Sequence, residues 1–298
     1  MANTPTKANS FGLCAILIWS SSFALARSVS EQIGGLTTAT IICLVGGLIL
    51  QGLKGKPTLP RRSHLLTGAL FATYIFLIYT ALSLAKDRSQ MLEVALINYL
   101  WPVLTLTGTM VLFKIRPNKW VIPGTILTLI GLALVVNPAF KITTLTAHVQ
   151  RNPLPYLMAF GAAITWALYS NLSRLWSQPD DKGCIEWFLF CAGLLLLGGR
   201  AFFHETATWN THTVLELGAL SILSGLSYWC WDQGVRQGNL RFITTTSYFT
   251  PVLSTLVSSV YLTVLPPAGI CLGCVLLSLG ALLTWKATEA SPIQTQNQ

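Results

Sequence analysis

Charge is scarce in this chain. Only 10% of its 298 residues are Asp, Glu, Lys or Arg, against about 25% in a soluble globular domain, and that shortage puts the chain in the membrane class. Carboxylates are fewer still, ten in all. The four that fall at or within apolar runs, Glu93, Glu186, Glu216 and Asp232, sit near run ends. Histidine is almost absent: His64, His148, His204 and His212 lie in loops or at run ends, and no H-E-x-x-H occurs. Without paired carboxylates, metal-spaced histidines or a nucleophile beside a base, the chemistry of a membrane enzyme has no visible seat. No cofactor or metal is expected. The seven cysteines lie in or beside apolar runs, where they act as small hydrophobes. Cys271 and Cys274 form a lone C-x-x-C with no second pair, which suits helix packing better than metal. The net charge of +9 comes from short loops and forms no basic face, so nucleic acid is not an expected partner.

What the chain has in abundance is apolar sequence, 52% hydrophobic with a mean hydropathy of +0.59. A span of the bilayer core needs roughly 20 apolar residues. Ten segments qualify, at 10–29, 35–53, 64–85, 91–113, 118–137, 154–177, 184–203, 214–235, 241–264 and 267–286. Runs this long fit helices rather than barrel strands, so the expected fold is an all-α integral membrane protein of ten transmembrane helices. Ala24 and Ala26 before Arg27 resemble a signal cleavage site, but the first segment takes part in the repeat described next and is expected to be retained. With the N-terminus inside, thirteen basic residues (Lys7, Lys54, Lys56, Arg61, Arg62, Lys114, Arg116, Lys119, Arg174, Lys182, Arg236, Arg241 and Lys286) fall on the cytoplasmic side. Six fall outside: Arg27, Lys86, Arg88, Lys141, Arg151 and Arg200. That bias puts both termini in the cytoplasm.

The chain resembles itself. A shift of 147 residues aligns Trp19 with Trp166, Leu25 with Leu172 and Arg27 with Arg174. A shift of 149 aligns Tyr79 with Tyr228, Tyr99 with Tyr248, Pro102 with Pro251, Pro117 with Pro266, Gly124 with Gly273, and Gly131 with Gly280. Residues 1–140 form one five-helix half, 141–153 a periplasmic linker, and 154–298 a second half with a short cytoplasmic tail. Five spans is an odd number, so the halves insert upside down relative to each other, an arrangement that supports alternating access.

Polar and aromatic residues in lipid are costly unless they face a cavity or a partner. Trp166, Tyr169, Ser170 and Ser173 share one helix face; Trp19, Ser22 and Ala26 make the corresponding stripe in the first span, and Ser221, Ser224, Tyr228, Trp231 and Asp232 another in the eighth. Pro102 and Pro251 have no N–H for the carbonyls of Asn98 and Ser247, which become candidate acceptors for an ammonium group. Trp19, Trp101 and Trp166 lie about ten residues into their spans, near mid-bilayer. With Tyr79, Tyr99 and Tyr248 they form a set of rings suited to flat solutes, each ring pair contributing about 0.5–1.5 kcal/mol beyond burial and a cation over a ring about 0.5–2 kcal/mol. Packing alone would account for any single ring, and kinking for either proline.

These residues carry a resemblance. E-V-x-x-x-N-Y-L-W-P at Glu93 to Pro102, S-Y-F-T-P-V-L-S at Ser247 to Ser254, W-A-x-Y at Trp166 to Tyr169 and the pair Gly238-Asn239 make the chain similar to the drug/metabolite transporter superfamily, of the ten-helix type built from two EamA-like repeats, and within it to aromatic amino-acid exporters. The resemblance implies a bacterial inner-membrane exporter of aromatic and other neutral amino acids. It also implies a cavity lined by Trp19, Tyr79, Tyr99, Trp101 and Trp166, with Asn98 and Pro102 beside it.

A proton-coupled carrier usually keeps an ionisable group at depth, and none sits there, so facilitated diffusion is the expectation. Glu93 is the one carboxylate to test for proton linkage. Asp232 and Arg236, four residues apart, are expected to form a helix-end ion pair. A broad exporter of flat cationic compounds is the alternative function. A channel is disfavoured by the repeat and by the lack of a charged or carbonyl-ring filter. The expected partners are the solute and membrane lipid, with monomer and homodimer both open.

Overall fold

The computed structural model describes residues 5–54, 62–115, 118–138, 141–178, 181–262 and 266–289. Between connecting turns they are helical, with no strand among the described residues: α1 (Pro5–Ile33), α2 (Gly35–Lys54), α3 (Arg62–Ser83), α4 (Arg88–Asn98), α5 (Trp101–Leu112), α6 (Val121–Val136), α7 (Ile142–Arg151), α8 (Leu154–Leu175), α9 (Ile185–Arg200), α10 (Thr211–Gln237), α11 (Leu240–Thr246), a 3-10 turn (Ser247–Phe249), α12 (Thr250–Leu262) and α13 (Ala268–Glu289). Lys56, Arg61, Arg116, Pro117 and the tail beyond Glu289 lie outside the described residues.

Among the described residues, five helical segments are long and apolar enough to cross a membrane: Gly35–Lys54, Arg62–Ser83, Arg88–Leu112, Thr211–Gln237 and Ala268–Ala287. A sixth qualifies if the two parts of α1, bent by 52° between Lys7–Ser22 and Leu25–Ile33, count as one span. That is fewer than the ten expected, for local reasons. α6 and α9 have 16 residues each, α8 carries tyrosine, serine, asparagine and arginine among its apolar residues, and the expected ninth span is divided among α11, the 3-10 turn and α12.

The expected fourth span is also divided. α4 starts at an Asp87 cap that accepts the Gln90 N–H, and it ends at Asn98 because Pro102, in the first turn of α5, has no N–H to continue the ladder. The second break, at Ser247–Phe249 ahead of Pro251, is the first displaced by about 149 residues. There the consequence differs from the expectation: the Thr250 N–H donates to the Ser247 carbonyl within the 3-10 turn. Pro251 therefore does not leave that carbonyl without a donor, whereas Pro102 still gives none to Asn98. The expected linker holds a helix, α7, with no buried residue.

Helix packing follows a reciprocal pattern. α1 lies on α10 and α8 on α3; α2 meets α10 and α9 meets α3; α5 meets α8 and α12 meets α1; α2 pairs with α9 and α6 with α13. The α6/α13 contact is antiparallel and depends on glycine. A Cβ on Gly131 would lie 2.2 Å from the Leu277 nitrogen and 2.7 Å from the Gly273 oxygen, and one on Gly280 would lie 2.4 Å from the Thr128 nitrogen and 2.7 Å from the Gly124 oxygen. Close backbone approach through small residues is a common way for helices to associate in lipid.

Candidate functional site

The largest cluster of buried residues draws on α1, α2, α3, α5, α8, α9, α10 and α11. Trp166 of α8, 2% exposed, is its hub. Its ring centroid lies 6.2 Å from Trp19 of α1, 5.9 Å from Trp101 of α5, 5.7 Å from Trp231 of α10 and 4.5 Å from Tyr74 of α3. Trp231 in turn lies 5.3 Å from both Trp19 and Trp101, and Tyr228 closes the ring set against Trp19 and Phe71. Most of these pairs are edge-to-face or tilted, the arrangements that aromatic quadrupoles favour.

Tyr74, Tyr79, Tyr99 and Tyr228 are only partly buried and keep accessible surface. Asn98, at the end of α4, sits against Tyr74, and its Oδ1 is buried without a partner. The Trp166 Nε1, the Trp231 Nε1 and the Tyr248 hydroxyl share that condition. Buried polar atoms are nearly always hydrogen-bonded, so several unsatisfied ones in and around one cluster are notable.

The predicted residues divide into groups. Trp19, Trp101 and Trp166 come into ring contact; Tyr79 packs against the same large cluster, Asn98 meets Tyr74, and Ser22 is half-buried one turn beyond Trp19. Tyr169 touches Trp166 at 5.3 Å, but its hydroxyl donates to Asp232 at 2.8 Å. Tyr99 and Tyr248 belong to a second cluster with Leu132, Val135, Leu277 and Ala281, against α6 and α13 rather than among the tryptophans. Pro102 and Pro251 are buried at the two breaks. Tyr74 and Trp231 were not among the predicted site residues. Trp231 was legible only as a member of a stripe, and nothing in the spacing of Tyr74 marks its face.

One end of the bundle is closed by a buried ionic network. Arg236 donates to Asp232 at 2.8 Å and to Asp181 at 3.2 Å, so the expected helix-end pair is present and has a third member. Asp181 also meets His64 Nε2 at 3.0 Å, Cys184 Sγ lies 3.3 Å from His64 Nδ1, and Lys54 pairs with Glu186 at 2.8 Å. Gly183 holds φ +65, and a Cβ there would meet Asp232 Oδ2 at 2.1 Å. Burial pushes the Asp181 carboxyl up, but the Gly183 N–H, His64 and Arg236 outweigh it and hold it below the usual carboxylate range. Elsewhere Glu93, 2% exposed, accepts from the Tyr156 hydroxyl and lies 3.0 Å from His148 Nδ1, which ties α7 and α8 to α4.

Among the described residues, no group of three or more His, Cys, Asp or Glu side chains could hold a metal ion. The EamA-like transporter family model matches residues 6–137 and, a second time, 153–286. The aromatic amino acid exporter YddG of Salmonella typhimurium (strain 14028s) is 30% identical over 292 residues, covering 96% of this chain and 99% of that protein. The protein of the same name from Escherichia coli K12 gives the same figures, and that from Ancylobacter novellus is 28% identical over 289 residues, covering 93% and 96%. A protein of known crystal structure, 24% identical, superposes with a TM-score of 0.79 over 96% of this chain and 100% of its own, a likeness of fold.

Proposed function

Because the chain belongs to the EamA-like transporter family, we propose that it exports aromatic amino acids, together with other neutral amino acids, across a bacterial inner membrane by alternating access. Family membership makes it a multi-pass membrane transporter and not an enzyme. The observation that carries the substrate class is the contact of Trp19, Trp101, Trp166 and Trp231, drawn from both parts of the chain, around Trp166. Relatives of almost the same length are named for the export of aromatic amino acids, and flat solutes are what such rings favour.

The architecture in this reading is ten membrane-crossing segments in two inverted halves, residues 1–140 and 154–298, joined at 141–153. Support comes from the reciprocal helix pairs, the two breaks about 149 residues apart, the two family matches and the α6/α13 glycines. In those glycines Gly131 faces Leu277 and Gly273 just as Gly280 faces Thr128 and Gly124, the self-complementarity that a two-fold axis imposes. The excess of basic residues on one side favours cytoplasmic termini.

Trp19, Tyr79, Trp101 and Trp166 line the solute path in this reading, with Asn98 and the carbonyl left by Pro102 receiving the ammonium. Ser22 extends that wall, Tyr169 braces Trp166 from behind, and Tyr99, Tyr248 and Pro251 shape the path at the second break. Transport is facilitated diffusion, because the carboxylates sit toward helix ends and are engaged: Glu93 with Tyr156 and His148, Asp232 with Arg236.

Proteoliposomes loaded with labelled tryptophan test this. The expected result is saturable efflux, accelerated by unlabelled phenylalanine outside and not driven by an imposed pH gradient. Flux that stays linear with concentration contradicts a carrier. Inhibition by a quaternary aromatic cation but not by phenylalanine selects the broad cation exporter instead.

A further inference from the structure

The aromatic centre has an obvious place for the ring of an amino acid, and Asn98 provides an acceptor for its ammonium group, but a zwitterion also carries a carboxylate. The buried cations do not suit it. Arg236 faces two carboxylates, Asp232 and Asp181, which a third would have to displace, and Lys54 is held by Glu186 and the Gly183 carbonyl.

We propose that the indole N–H groups of Trp166 and Trp231 form the carboxylate subsite of the transport centre. This inference rests on the export reading above and adds to it a specific pair of donors. Trp166 and Trp231 are 2% and 0% exposed, and neither Nε1 has a hydrogen-bond partner. An indole nitrogen is a donor only, so each needs an acceptor, and a carboxylate offers several lone pairs. The two rings touch at 5.7 Å with planes 32° apart, so both donors are carried by neighbouring rings of the hub.

The acceptor comes from α4. Tyr74, 4.5 Å from Trp166, also meets the Asn98 side chain, whose Oδ1 is unpaired. Donors on α8 and α10 and acceptors at the end of α4 match the polarity of a zwitterion laid across the rings. A carboxylate bound by neutral donors is held more weakly than one bound by Arg, which suits a carrier that must let go of its solute on the far side. Trp231 sits at the edge of the ring set around Trp166, 5.3 Å from Trp19 and from Trp101, so it is the first of the two to substitute.

The test compares phenylalanine with phenethylamine, which keeps the ring and the ammonium group but lacks the carboxylate. Ligand-induced thermal shifts of the purified full chain give an affinity for each. Trp231→Phe retains a smaller aromatic ring and removes the donor; the lost volume affects both ligands, so the change is expected to weaken phenylalanine about tenfold relative to phenethylamine. Trp166→Phe, used as well in case Trp231→Phe does not reach the membrane, should act in the same direction. An unchanged ratio in a folded variant overturns the subsite. Failure of the unmutated protein to release tryptophan from liposomes overturns the export reading itself, so the two failures are told apart.

Discussion

Replacing Gly131 by alanine should destabilise the protein even though alanine is the better helix former. The added Cβ would lie 2.2 Å from the Leu277 nitrogen, 2.7 Å from the Gly273 oxygen and 2.7 Å from the Leu277 Cα. All three are backbone atoms, so no side chain can swing aside, and α6 and α13 must separate by roughly 1 Å to restore ordinary contact. Overpacking of this kind costs about 1–3 kcal/mol, and the helix-propensity gain of about 1 kcal/mol offsets only part of it. At about 2–4 °C per kcal/mol the melting temperature in detergent should fall by a few degrees. Gly280→Ala, whose Cβ would meet Thr128 at 2.4 Å and Gly124 at 2.7 Å, should lose a similar amount. Gly218→Ala on α10, with nothing within 4 Å, should instead gain slightly. Fluorescence-detected melting of the three variants checks this, and a Gly131→Ala protein as stable as Gly218→Ala would refute the close crossing.

Two further outcomes concern the buried ionic end. Arg236→Met leaves Asp232, 0% exposed, without its guanidinium and should cost about 3–5 kcal/mol; adding Asp232→Asn should restore much of that in the same melting assay. The Asp181 carboxyl ionises below its ordinary range, so its contribution is fully present above about pH 4 and fades as pH falls through the ordinary value toward the depressed one. Asp181→Asn should flatten stability between pH 5 and 3 (roughly the window set by that ordinary value) relative to the unmutated protein, measured as melting temperature against pH.

Much of this was legible from spacing alone. Proline within an apolar run marked both breaks, because a missing N–H acts locally whatever surrounds it. Trp19, Trp101 and Trp166 could be placed by counting 1.5 Å per residue, and they do meet. Residues whose role depends on distant partners were harder to find. Asp181 lies between α8 and α9, and its contacts with His64 on α3 and Arg236 on α10 follow from tertiary packing rather than from any period. His148 looked like a loop residue and sits on a helix against Glu93. The Ser247 carbonyl was expected to stay without a donor, but a 3-10 turn supplies the Thr250 N–H, a local rearrangement that proline's missing hydrogen does not specify.

The central claim is that rings from both parts of the chain form one solute path, and labelled tryptophan efflux from proteoliposomes containing Trp101→Ala or Trp166→Ala tests it most directly. Each variant should lose most of its saturable flux while still inserting and melting cooperatively. Flux equal to that of the unmutated protein in both would contradict the account.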